Sequence, residues 1–234
     1  MSKFKFRHFE ILQTDNPLKV GTDSLVLGTL VTSENAHRVL DLGTGTGILA
    51  LMMAQKFPDA QIEAIELHKF GARECEQNFL NCLWSDRLHL IQGDYYEFPF
   101  SKKYDLIVSN PPYHVETITS KNQDMDNAKR TDLNNFKQLL QKISDLLLIE
   151  GTAWMILPYS LFEQINPYLT DLQLFIHQLI TIHGNERKQK KRVVFSFGHL
   201  KKNTITSELT IRNLDGTYTD AYKTLTKDFH DRLL

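Results

Sequence analysis

From residue 38 onward, short apolar runs alternate with longer stretches whose apolar residues recur every three to four positions. Compact apolar runs bounded by polar residues are the mark of strands, and a 3.6-residue recurrence is that of helices packed by one face. Arg38–Leu42, Ala60–Glu66, Leu88–Ile91, Tyr104–Ser109 and Ala153–Leu157 therefore read as strands. Gly47–Phe57 reads as a helix with Ile48, Leu51, Met52 and Phe57 on one side, and Lys69–Leu83 as a second with Cys75, Phe79 and Cys82 spaced for one face. Asp132–Leu148 is the longest predicted helix. Its Leu133, Phe136, Leu140, Ile143 and Leu147 keep the period, Asp132 offers an N-cap, and Gly151 follows its end. A helix near Ser160–Leu169 and the strands Leu174–His183, Arg192–His199 and Glu208–Arg212 complete the pattern.

Strands alternating with helices imply a parallel sheet covered on both faces, an α/β fold. The late strands follow one another without a long helix, which predicts an antiparallel edge. Glu116–Lys129 is polar and reads as a mobile loop. With no linker in sight, residues 1–234 form one domain, a segment 1–36 preceding a core 37–234. The N-terminal Lys3-Phe4-Lys5-Phe6-Arg7-His8-Phe9 alternates basic and aromatic residues. It is either an edge strand with Phe4 and Phe6 packed down or an arm that orders on RNA.

The segment Asp41-Leu42-Gly43-Thr44-Gly45-Thr46-Gly47 follows the first strong strand and opens a helix. Glycines at alternate positions let the backbone approach a ligand closely. Taken alone, the turn is equally a tight turn capped by Asp41. Gly45–Ala50 also fits a dinucleotide fingerprint, with Glu66 at the distance of a ribose-binding acid. The charge logic separates the two ligand classes. An acid at the end of the first strand repels a pyrophosphate but suits S-adenosylmethionine, whose ammonium and sulfonium are cationic. Asp41 stands there, Glu66 ends the second strand, where it would take ribose hydroxyls, and Asp94 follows the third, where it would take the adenine amino group.

Ser109-Asn110-Pro111-Pro112-Tyr113 follows the fourth strand directly. Ligands of open α/β sheets bind outside the carboxyl ends of the strands, so this motif faces the glycine turn. Its parts suit methylation of a planar amino group, whose delocalised lone pair is a poor nucleophile. The Asn110 side-chain oxygen can accept one N–H and the Pro111 carbonyl the other, which localises the lone pair. The paired prolines pre-organise that geometry, and Tyr113 can stack on an extruded base. No general base is needed before transfer, because the proton becomes acidic only once the nitrogen carries the methyl. Asn and Pro are also ordinary turn residues, so it is the conjunction with the three strand-end acids that carries the chemistry.

The two motifs together resemble those of the class I S-adenosylmethionine-dependent methyltransferases acting on exocyclic amino groups, and more narrowly the bacterial tRNA(Val) adenine-N6 methyltransferases. The likeness extends over Val20-Gly21-Thr22-Asp23-Ser24-Leu25-Val26-Leu27-Gly28, Asp41–Gly47, Asn110–Tyr113, Arg192–Phe197 and Tyr218–Leu225. It implies a seven-stranded sheet whose last strand is antiparallel. It further implies that Gly21, Thr22 and Asp23 close over the methionine end of the cofactor, and that the target is the adenine 3′ of the anticodon. Similar tetrapeptides serve enzymes that modify release-factor glutamine or rRNA bases, and these remain the alternatives. Only 40 residues precede Asp41, little room for the helical substrate-binding domain of the glutamine enzymes. An oxidoreductase and an RNA-binding module with a vestigial cofactor site are the readings from other classes.

Charge sharpens this picture. The 234 residues hold 27 Lys and Arg against 28 Asp and Glu, a net charge of −1, which at first argues against a nucleic-acid binder. Between His183 and Lys202, however, seven basic residues face one acid, leaving 20 basic and 27 acidic residues elsewhere. The body is thus −7 and this stretch +6. Arg187, Lys188, Lys190, Lys191 and Arg192 cluster near a predicted hairpin loop at 184–192, well placed for a phosphate backbone. Two cysteines cannot make a disulfide scaffold or a Cys-rich zinc site, and Cys75 and Cys82 are expected to be buried reduced thiols. The nine histidines lack metal-ligand spacing, and His177 and His183 are expected to be packed or hydrogen-bonded. The longest apolar run, Ile48–Ala54, is far short of the roughly 20 residues of a bilayer span. A cytoplasmic monomer with a tRNA partner, no metal and no membrane is the expectation.

Overall fold

The computed structural model describes residues 2–13, 21–34, 36–112, 122–185, 187 and 191–230. Within them lie β1 (Ser2–Lys5), β2 (Glu10–Gln13), α1 (Thr22–Leu30), β3 (Arg38–Leu42), α2 (Ile48–Lys56), β4 (Gln61–Glu66), α3 (Lys69–Leu80) and β5 (Leu88–Gln92). These are followed by β6 (Tyr104–Ser109), α4 (Asn122–Leu146), β7 (Leu147–Pro158), α5 (Tyr159–Asp171), β8 (Phe175–Asn185), β9 (Arg192–Gly198), β10 (Ile205–Arg212) and α6 (Asp220–Thr226).

Eight strands form the central sheet in the order β10-β8-β9-β7-β6-β3-β4-β5. Strands β5, β4, β3, β6 and β7 run parallel, as helical crossovers require. Strand β9 runs antiparallel to both neighbours. The expected α/β sheet is present, with two differences. The antiparallel strand is wedged between β7 and β8 rather than at the edge, and β10 adds an eighth strand parallel to β8. Only a short connection separates β8 from β9, so they pair as a hairpin, while α5 carries the chain past that slot from β7 to β8.

The central strands β3, β6, β7 and β9 bury both faces. On one side Val39, Ile62 and Val108 meet α1, α2, α3 and α6 through Leu25, Leu51, Cys75 and Tyr222. On the other, Leu40, Leu42 and Ile107 meet α4 and α5 through Phe136, Leu140, Ile143, Phe162 and Ile165. Helix α1 lies against α2 where Gly28 faces Met52: a Cβ there would sit 2.4 Å from the sulfur.

Helix α4 begins at Asn122, ten residues before the expected Asp132 cap. Asn122–Lys129 therefore extends the helix, and the rest of the expected loop, up to residue 121, lies outside the described residues. That stretch lacks an apolar period, yet it contains no Gly or Pro and includes strong helix formers. The helix then stops at Leu146, and Leu147 and Leu148 already belong to β7. Helix α3 ends at Leu80, so Cys75 is fully buried while Cys82, beyond the helix, is only half-buried; both are free thiols. The N-terminal strand pairs with β2 in a hairpin of its own. Phe6 is buried and stacks on Phe9 at 4.4 Å, whereas Phe4 remains 37 % exposed. Among the described residues no helix is long and apolar enough to cross a membrane.

Candidate active site

Strand β3 delivers Asp41 and Leu42 to the carboxyl edge of the sheet, where the chain must reverse into α2. Gly43, Gly45 and Gly47 accomplish this with φ of 73°, 58° and 85°, a left-handed region that L side chains rarely adopt. The turn is tied to the next strand, since the Gly43 and Thr44 N–H groups both donate to the Ile65 carbonyl at 3.0 and 3.1 Å. A Cβ on Gly43 or Gly45 would meet nothing within 4 Å, so the turn presents open backbone. At Gly47 the reason is packing: a Cβ would lie 2.7 Å from Phe79 and 2.8 Å from Cys75.

Asp41 is completely buried. Its Oδ2 accepts from Thr44 Oγ1 at 2.5 Å and from the Ala50 N–H at 3.1 Å. It thereby caps the first turn of α2 from the preceding strand, satisfying one of the donors that a helix start leaves orphaned. Its Oδ1 has no hydrogen-bond partner. Burial pushes the Asp41 carboxyl up to about 7 against the pull of those two hydrogen bonds, with Glu66 adding a smaller push in the same direction.

Glu66, at the end of β4, is buried as well. Its Oε2 accepts from the Gly45 N–H and its Oε1 from the His68 N–H, both at 2.8 Å. The carboxylate is thus clamped between the glycine turn and its own strand end, with a lone pair left on each oxygen. Gly71 lets α3 approach, since a Cβ there would be 3.2 Å from Glu66 Cγ. Asp94, two residues beyond β5, accepts from the Tyr96 N–H through Oδ1 at 2.8 Å.

The Ser109 hydroxyl donates to the Leu42 carbonyl at 2.9 Å, so the ends of β6 and β3 are pinned together. Asn110 follows, and its Nδ2 donates to Ser24 Oγ at 2.9 Å. Pro111 is buried and Pro112 exposed. Tyr113 lies outside the described residues. Because the strands stand in the order β6-β3-β4-β5, Asn110, the Asp41 turn, Glu66 and Asp94 form one row along the sheet's edge. Three strand spacings make that row about 14 Å long.

At the start of α1, Gly21 and Thr22 are exposed. The Asp23 Oδ2 accepts from Arg192 Nε at 2.8 Å. Arg192 opens β9, its side chain is only 21 % exposed, and it also donates to the Lys191 carbonyl. Of the five basic residues singled out, Lys188 and Lys190 lie outside the described residues, while Arg187 and Lys191 are exposed. The connection carrying them leaves the carboxyl end of β8, the same edge of the sheet as Asn110. His177 is hydrogen-bonded to the Leu200 carbonyl at 2.8 Å, and His183 lies 3.3 Å from Glu208.

Ser24 was not singled out by the sequence. It sits inside the Val20–Gly28 block, but nothing in its spacing signals a partner 86 residues away. A cavity of about 950 Å³ lies at the opposite end of the sheet, lined by residues such as Asp105, Gly151, His177 and Lys202. It contains none of the residues in the row above.

Residues 14–157 match the model of the methyltransferase small domain. The chain is 36% identical over 226 residues to a tRNA1(Val) (adenine(37)-N6)-methyltransferase of Pedobacter heparinus, covering 97% of each. It is 31% identical to the protein of the same name in Bacteroides thetaiotaomicron, covering 97% of this chain and 96% of that one. Among solved structures, a predicted O-methyltransferase from Agrobacterium tumefaciens superposes with a TM-score of 0.70 at 15% identity, over 88% of this chain and 96% of that one. The glycopeptide N-methyltransferase MtfA gives a TM-score of 0.56 at 14% identity, over 79% and 90% respectively.

Proposed function

This chain belongs to the methyltransferase small domain family, and we propose that it moves the methyl group of S-adenosylmethionine to the exocyclic N6 of adenine 37 in tRNA(Val). Relatives that carry this activity in their names match the chain over 97% of its length. The observation that carries the reading is the row of Asn110, Asp41, Glu66 and Asp94 across four adjacent strand ends.

The residues fit the cofactor. Asp41 offers a buried carboxylate oxygen without a partner, which suits a cationic amino-acid end. A pyrophosphate would be repelled there, and this disfavours a dinucleotide. Gly43 and Gly45 leave open backbone beside it. Glu66, already fixed by two N–H donors, keeps lone pairs for a ribose diol, and Asp94 is placed for the adenine. Gly21 and Thr22 border the methionine end from α1. When bound, S-adenosylmethionine supplies an electrophilic methyl on a positively charged sulfur.

The chain's own residues prepare the nucleophile. The Asn110 Oδ1 and the Pro111 carbonyl accept hydrogen bonds from the two N–H groups of the adenine amine, which aims the nitrogen lone pair. As the N–CH3 bond forms the S–CH3 bond breaks, S-adenosylhomocysteine leaves, and the now acidic N6 proton passes to solvent. Pro111 and Pro112 hold this acceptor pair rigid, so little ordering remains to be done at the moment of reaction. Tyr113 stacks on the extruded adenine. Arg187 and Lys191 meet the tRNA backbone on the same edge of the sheet as Asn110, Lys188 and Lys190 of the same sequence cluster add charge for it, and Arg192 is paired with Asp23. Binding through phosphates makes affinity fall steeply with salt.

The test is methyl transfer from labelled S-adenosylmethionine to a tRNA(Val) transcript. Wild-type protein labels adenine 37, and Asn110→Ala loses roughly two to three orders of magnitude in rate. Label appearing only on release-factor glutamine, or undiminished in Asn110→Ala, overturns the assignment.

A further inference from the structure

We propose that Ser24 is a positioning residue for methyl transfer, holding the Asn110 amide so that Nδ2 faces helix α1 and Oδ1 faces the target amine. The inference rests on Asn110 being the amine acceptor. A side-chain amide is nearly symmetric in shape, and a half-turn about its last bond exchanges an acceptor for a donor. Only one of the two orientations can receive an amine N–H; the other sets N–H against N–H. In the structure Ser24 Oγ accepts from Nδ2 at 2.9 Å; because a hydroxyl can also donate, it is this bond together with the amine's bond to Oδ1 that fixes the productive orientation.

Four features show that this contact is held in place. Ser24 is buried at 8 % exposure in a helix whose next residues, Leu25, Val26 and Leu27, are core. The start of that helix is fixed by the neighbouring Asp23, through its ion pair to Arg192 at the head of β9. Farther along, Gly28 seats the helix closely on Met52. On the other side, Asn110 stands directly after Ser109, which is bonded to β3. Both partners therefore sit on rigid elements.

For folding alone, serine is a poor choice at this position. Alanine has the higher helix propensity, and a buried hydroxyl carries a desolvation cost unless it is hydrogen-bonded. Ser24→Ala is accordingly expected to fold normally, which separates a positioning role from a structural one. With the orienting bond gone, the amide divides about evenly between the two orientations, and productive encounters fall about twofold.

The experiment is steady-state kinetics of the full chain with a tRNA(Val) transcript, together with calorimetric binding of S-adenosylhomocysteine and thermal melting. Ser24→Ala is expected to lower kcat about twofold, leaving the tRNA KM, the S-adenosylhomocysteine Kd and the melting temperature as in wild type. Ser24→Thr, which keeps the hydroxyl, is expected to restore most of kcat. A wild-type kcat in Ser24→Ala overturns the proposal, and so does an equal loss in Ser24→Thr. Asn110→Ala is measured alongside. If it retains full kcat, the assignment of Asn110 falls and this inference with it. If it is inactive while Ser24→Ala is unimpaired, only the role of Ser24 falls.

Discussion

Asp41→Asn is expected to stabilise the ligand-free protein above pH 7 while impairing the site. An ordinary aspartate titrates near 3.9, whereas burial pushes Asp41 up to about 7. The folded state therefore holds this proton more tightly than the unfolded chain does. For a carboxyl with a raised pKa, the cost to stability is absent below about pH 4, grows as the pH rises to 7, and is complete above it. It amounts to about 4 kcal/mol at pH 8 and about 1–2 kcal/mol at pH 5. Asparagine removes this cost and keeps an oxygen for Thr44 and Ala50, but sets an N–H donor where Oδ1 has no partner. An unsatisfied buried donor costs about 1–3 kcal/mol. The net gain is about 1–3 kcal/mol at pH 8, and it vanishes or reverses at pH 5. For a chain of this length each kcal/mol moves the midpoint by roughly 2–4 °C. Thermal melts of both proteins at pH 5 and pH 8 supply the readout. S-adenosylhomocysteine should raise the wild-type midpoint much more than that of the variant. A variant that melts below wild type at pH 8, or by the same margin at both pH values, refutes the account of Asp41.

Gly47→Ala should cost about 2–5 kcal/mol in urea unfolding, from a left-handed φ of 85° together with a Cβ pressed into Phe79 and Cys75; a loss below about 1 kcal/mol contradicts that packing. Glu66→Gln turns an N–H donor toward either the Gly45 or the His68 N–H. Calorimetry should show S-adenosylhomocysteine affinity falling roughly 10- to 100-fold. Arg187→Glu and Lys191→Glu should each flatten the slope of log affinity for tRNA against log salt by about 1. Arg192→Gln should instead lower the melting temperature, because its guanidinium pairs with Asp23; a salt slope changed as in Arg187→Glu would argue against that role.

Where local pattern coincides with a buried environment, the sequence is easy to read. Arg38–Leu42 and Tyr104–Ser109 are strands with the predicted ends, because parallel central strands are near-continuous apolar runs. That Asp41, Glu66, Asp94 and Asn110 line one edge of the sheet is legible because each lies within two residues of a strand end, and strand ends of a parallel sheet converge on one edge. Helix α1 escaped notice for the opposite reason. Ser24–Thr29 are all buried, so no polar face alternates with an apolar one. The first turns of α4 are polar and leave no period either. The position of β9 inside the sheet depends on which strands pair, and a list of strands does not contain that. Long-range pairs are least visible. Arg192 reads as one more basic residue in a cluster, yet its partner lies 169 residues away on α1. The separation of an acidic body from a basic late stretch was legible, but which of those charges remain exposed to meet RNA was not.

The most direct measurement is nucleoside mass spectrometry of tRNA(Val) isolated from cells with and without this protein. The methyl-transfer account predicts N6-methyladenosine at position 37 in the parent cells. It predicts unmodified adenosine there in the deletion strain, with the modification restored by wild-type protein but not by Asn110→Ala. Persistence of the modification at position 37 in the deletion strain, or its restoration by Asn110→Ala, would contradict the account.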